Sequence, residues 1–156
     1  MVFTRIGAAA LVVLTAAGCG VAQGVPEAPA RERVEVLELG VRNDQYQALD
    51  FGAPGVSLGD MDVYSGQAVK DGREVGYGGG SCQVISVAGE EVTMQCVITM
   101  DLENGSVTMR SQWTRGASPL DMAITGGTGT YRKARGTVRF WDIGTPDERA
   151  RAEIIH

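Results

Sequence analysis

From Arg31 onward the chain repeats one pattern, a short run of alternating apolar and polar residues followed by a turn. Alternation with period two places one set of side chains on each face of an extended strand. Such runs fall at residues 31–41, 61–70, 75–87, 91–102, 106–114, 120–125, 131–143 and 148–155. Asp71-Gly72, Gly89 and Asn104-Gly105 supply tight-turn chemistry between neighbouring runs. No helical period follows the first residues, and residues 49–59, with Pro54 and three glycines, read as the one long loop. Eight short strands joined mostly by tight turns predict an all-β fold, an eight-stranded antiparallel β-barrel over residues 31–156.

The strand faces give the barrel a chemical character. In the run at 91–102, Val92, Met94, Cys96, Ile98 and Met100 share one face, and in the next run Val107, Met109 and Trp113 do. Methionine adapts its shape, so a lumen lined by Met94, Met100, Met109 and Trp113 suits an elongated apolar small molecule. Plain core filling is the alternative, because small barrels either fill with side chains or hold one ligand. Asp60, Asp62 and Asp142 read as turn and rim residues.

Between the sixth and seventh runs lies Ala123-Ile-Thr-Gly-Gly-Thr-Gly-Thr-Tyr-Arg-Lys-Ala-Arg-Gly136. Gly126, Gly127 and Gly129 are expected to form a sharp corner, through positive φ or close backbone approach, with Tyr131 closing over it. A strand corner is favoured over a phosphate loop: Arg132 stands where a dinucleotide fingerprint needs its third glycine, and no P-loop lysine follows. This corner resembles the signature of allene oxide cyclases and plant dirigent proteins. Ser57-Leu-Gly-Asp60 and Val75-Gly-Tyr-Gly-Gly-Gly-Ser-Cys82 resemble two further pieces of that family, in the same order. The match runs from about Asn43 to about Trp141.

The resemblance implies a barrel that holds a reactive apolar substrate, polyketide- or lipid-like, and steers its ring closure without a cofactor. Bacterial look-alikes include spirotetronate-type cyclases that perform [4+2] closure. Proximity and restricted conformation drive such catalysis, with few charged groups needed. Asn43, Tyr64 and Cys82 are the candidate catalytic positions, with Arg110 and Gln112 as further pocket contacts to test. The family's glutamate maps to Val41 and its second asparagine to Gly66, so allene oxide cyclisation itself is not implied. The trimers of the plant members leave homo-oligomerisation open beside a monomer. The rival class is a non-catalytic exported lipoprotein that binds an apolar ligand or a protein partner.

The first residues read as an export signal. Residues 1–5 are positively charged, residues 6–17 are apolar but short for a membrane span, and Thr15-Ala-Ala-Gly-Cys19 resembles a bacterial lipobox. Lipid on Cys19 would anchor an exported protein; ordinary cleavage after Ala22 would secrete it. Residues 20–30, rich in Gly, Ala and Pro, read as a flexible tether.

Three cysteines fit this picture, because an exported chain keeps disulfides. Cys82 and Cys96 are equidistant from Gly89, so a hairpin centred there places them face to face, within bridging range. A bridge makes them structural; free, Cys82 stays a candidate active-site thiol. His156 is the single histidine, which excludes a Ser-His-Asp triad and histidine metal sites, and no zinc-spaced cysteines occur. A net charge of −5 with no basic stripe argues against nucleic acid and against electrostatic membrane binding, leaving the lipid anchor as the membrane contact. Cys19→Ser is expected to move the exported protein from the detergent phase to the aqueous phase; unchanged detergent partitioning would exclude Cys19 as the anchor.

Overall fold

The computed structural model describes residues 32–156. The signal segment, the tether and Cys19 lie outside these described residues. Eight strands follow in order: β1 (Val34–Leu49), β2 (Met61–Lys70), β3 (Arg73–Ala88), β4 (Glu91–Leu102), β5 (Gly105–Thr114), β6 (Leu120–Gly127), β7 (Arg135–Trp141) and β8 (Arg149–Ile155). Each pairs antiparallel with its sequence neighbours, and β8 returns to pair with β1, so the sheet closes into a barrel. Among the described residues, no helix is long and apolar enough to cross a membrane.

β1 runs well past residue 41, where alternation fades into a polar stretch, because β2 pairs it as far as Leu49. β7 starts later than expected, because a 3-10 turn occupies Gly129–Tyr131. The β3–β4 hairpin turns on Gly89 and Glu90, half a residue beyond the expected centre. An irregularity between Val84 and Ser86 absorbs that offset, which is why Cys82 still faces Cys96. The two are joined by a disulfide. By loop entropy, closing so short a loop contributes about 3 kcal/mol.

Inward residues fill most of the lumen. Met94, Met122, Ile154, Val84 and Cys96 are fully buried, with Met109, Val138 and Phe140 in the same core. Eight strands leave an interior just wide enough for side chains to fill. Met94 and Met109 are therefore part of the core, and Met100 packs with Leu39 and Ala68 in a second cluster.

At the glycine corner, Gly126 and Gly129 have φ of +139° and +56°, which side-chain-bearing residues resist. Gly127 lacks positive φ; its role is close approach, since a Cβ there would overlap the Ser106 carbonyl oxygen and crowd Tyr131. Thr128 fastens the corner, its hydroxyl accepting the Ser106 N–H at 2.9 Å, and Tyr131 is buried beside it. Gly127→Ala is expected to cost about 2 kcal/mol or more in denaturant unfolding through overpacking. An unchanged denaturation midpoint would mean that β5 and the corner do not touch as closely as described.

Candidate active site

A cavity of about 570 Å³ lies at the end of the barrel where β1 finishes and β2 begins. One wall is apolar, built by Ile98, Trp113, Leu120, Phe140 and Ile143. The other is polar, with Asn43, Tyr46, Asp62, Tyr64, Arg115 and Glu148. The polar wall depends on a β-bulge at Asp44: Asn43 pairs with Gly66, whereas Gln45 already pairs with Ser65 and Tyr46 with Tyr64. The extra residue resets the alternation, so both Asn43 and Tyr46 face the cavity. Opposite Asn43, a Cβ on Gly66 would stand 2.5 Å from the Arg42 carbonyl, so this position has no room for a second amide.

Two carboxylates are buried in this wall and are held differently. Asp62, on the inward face of β2, accepts a hydrogen bond from the Tyr46 hydroxyl at 2.9 Å and pairs with Arg115 Nη2 at 3.2 Å. Glu148 sits in the turn before β8, where its backbone N–H donates to the Thr145 carbonyl. Its Oε2 accepts from Asn43 Nδ2 and from the Gly144 N–H, each at 2.7 Å. Burial of a carboxylate without such donors would cost several kcal/mol.

Tyr64 stands among these groups. Burial, and then the charges of Glu148 and Asp62, push its phenol well above the usual tyrosine value. The phenol therefore stays protonated and serves as a hydrogen-bond donor. Burial and the hydrogen bond to Asp62 also raise Tyr46. Asp60 instead secures the loop at residues 50–60. Its carboxylate accepts the Phe51 and Ser57 N–H groups, which pull its pKa below the usual range.

Asn43, Tyr64, Cys82 and Trp113 all line the cavity. Cys82 does so as half of a disulfide, so it offers no thiol, and its sulfur lies 3.6 Å from the Tyr64 hydroxyl. Met94, Met100 and Met109 do not line it, and Arg110 and Gln112 are exposed on the opposite face of β5. Asp62, expected at the rim, is buried in the wall, while Tyr46, Arg115 and Glu148 carried no role in the sequence reading. Asp62 was detectable by its parity with Tyr64; Glu148 had no periodic signal, because a turn presents it. No cluster of three or more potential metal ligands occurs among the described residues.

The structure is thus a closed eight-stranded barrel with a half-polar cavity at one end. Residues 36–155 match the model of the allene oxide cyclase barrel like domain, and the chain belongs to that family. Among solved structures it is similar to a pyocyanin demethylase, with 38% identity over 77% of this chain and 99% of that one, at a TM-score of 0.73. It shares the fold of the Diels Alderase AbmU from Streptomyces koyangensis, with 19% identity over 78% of this chain and 62% of that one, at a TM-score of 0.61. The pterocarpan synthase dirigent protein GePTS1 is similar at 17% identity over 86% of this chain and 98% of that one, also at a TM-score of 0.61. No functionally curated protein matches the chain.

The raised Tyr64 value has a sign that can be measured. The folded protein keeps this proton where the unfolded chain begins to lose it, so stability is full below about pH 10 and falls above it. Ultraviolet titration is expected to show Tyr64 ionising late, above the usual tyrosine range, and Tyr64→Phe to remove that late step. A late step that survives in Tyr64→Phe would assign it to another tyrosine.

Proposed function

We propose that the cavity binds a flat, conjugated, N-methylated heteroaromatic ring of the phenazine kind and removes its N-methyl group. The observation that carries this is Glu148, a buried carboxylate held by neutral donors on the wall of a cavity whose other side is apolar. The similarity to pyocyanin demethylase, spanning 99% of that chain, supports the substrate class.

In the proposed reaction Glu148 takes a proton from the methyl carbon. The electron pair left behind enters the ring, and Glu148 returns the proton to a ring heteroatom. The methyl carbon is oxidised by two electrons and the ring is reduced by two, so no outside oxidant is required. Water from the cavity mouth adds to the resulting N-methylene carbon; cleavage of the C–N bond then releases formaldehyde and leaves the reduced ring. Where the ring carries an oxygen substituent, the protonated Tyr64 phenol donates to it as negative charge gathers there. Asp62, fixed by Tyr46 and Arg115, completes the field on this wall. Asn43 and the Gly144 N–H aim the Glu148 carboxylate.

A second reading, cofactor-independent ring closure of a polyketide- or lipid-like substrate, is supported by the apolar wall and by the fold shared with the cyclases and dirigent proteins. It relies on shape and proximity and gives Glu148 nothing to do. An exported, lipid-anchored binding protein is the non-catalytic form of the proposal, in which ligand is held without turnover. Mass spectrometry of pyocyanin incubated with the purified protein decides among them. Loss of the methyl group is expected, and Glu148→Gln is expected to lower kcat/KM by about 100-fold or more, the usual weight of general acid–base catalysis. Binding without turnover would overturn the demethylation reading, as would a Glu148→Gln variant with unaltered rate.

A further inference from the structure

We infer that the cavity selects its ligand by charge and takes ring cations in preference to neutral rings of the same shape. The inference rests on the proposed function, in which a flat heteroaromatic ring occupies the cavity, and it adds the charge state of that ring. Two carboxylates, Asp62 and Glu148, and a single guanidinium, Arg115, line the polar wall. The guanidinium is already engaged by Asp62 at 3.2 Å. None of the ion pairs among the described residues involves Glu148. Its partners are an amide and a backbone N–H, both neutral. Hydrogen bonds orient such a carboxylate but leave its charge uncompensated in a partly dry site, where an opposite charge is felt far more strongly than in water.

The remaining groups reinforce the same choice. Tyr64 stays protonated, so it adds no charge; burial raises it first, and the charges of Glu148 and Asp62 add to that shift. Trp113, Phe140 and Tyr64 present aromatic rings to the cavity, and aromatic faces attract cations. A ring nitrogen made cationic by alkylation would supply the missing positive charge beside Glu148. An anionic ring would meet two carboxylates with a single occupied arginine against them. The same field acts on the chemistry, because a carboxylate next to an alkylated ring nitrogen is well placed to receive a proton from its alkyl carbon.

The test uses unreactive tricyclic probes of nearly equal shape: N-methylacridinium, a fixed cation, and acridine at alkaline pH, where it is neutral. Fluorescence titration of the full exported protein is expected to show N-methylacridinium bound at least about tenfold more tightly, or about 1.4 kcal/mol. Glu148→Gln is expected to reduce that preference to about threefold or less. The wild-type comparison stands by itself should the variant fail to fold. Equal binding of the two probes by the wild type overturns charge selection and leaves the demethylation reading standing. A preference that survives intact in a folded Glu148→Gln variant overturns the assignment to Glu148. Binding of neither probe overturns both this inference and the aromatic-ring reading beneath it.

Discussion

Everything in this molecule depends on the ladder between β1 and β8. It converts a row of hairpins into a closed surface on which every strand has two neighbours. Closure removes the exposed edges that an open sheet would present, and it also fixes the interior width. Eight strands give a lumen that side chains can fill, and along most of its length they do, with Met94, Met122 and Ile154 wholly enclosed. The cavity lies at one end, where Asn43, Tyr64 and the β7–β8 turn line it.

That end holds polar groups that the rest of the lumen could not tolerate. Ser65 Oγ is the sole buried side-chain nitrogen or oxygen without a partner among the described residues. On the cavity wall, Asn43, Tyr46, Asp62, Arg115 and Glu148 hold hydrogen-bond partners before any ligand arrives, so their orientation need not be established upon binding. Asp62 is balanced by charge and Glu148 by neutral donors, which gives two carboxylates in one cavity different electrostatic surroundings. The disulfide, with Cys82 in the wall and Cys96 behind it, ties β3 to β4 at the cavity's edge.

Strand alternation was a dependable guide wherever pairing was regular. β2 and β4 run from Met61 to Lys70 and from Glu91 to Leu102, as their alternation implies, and the facing of Cys82 and Cys96 follows from a turn placed near Gly89. Asn43, Tyr64 and Trp113 were also legible as cavity residues. Met94, Met100 and Met109 pack in the barrel clusters and do not line the cavity, because period two says which side of a strand is inward but not how far along the lumen the filling extends. Tyr46 was hidden by the bulge, and Arg115 and Glu148 by their places beyond the ends of strands. Such positions are set by the path of a turn in space, which depends on contacts distant in sequence.

The bulge at Asp44 has a consequence for comparing this chain with its relatives. Removing Asp44 would leave Asn43 against Gly66 and Tyr46 against Tyr64, with an uninterrupted strand between them. Within this family, then, a single-residue gap in β1 need not alter the lining of the cavity. An ungapped alignment to a relative lacking that residue would shift every later β1 position by one. It would set Gln45, which points outward, against the relative's counterpart of Tyr46. Functional residues in this strand are best transferred by their partners on β2 and not by counting along the chain.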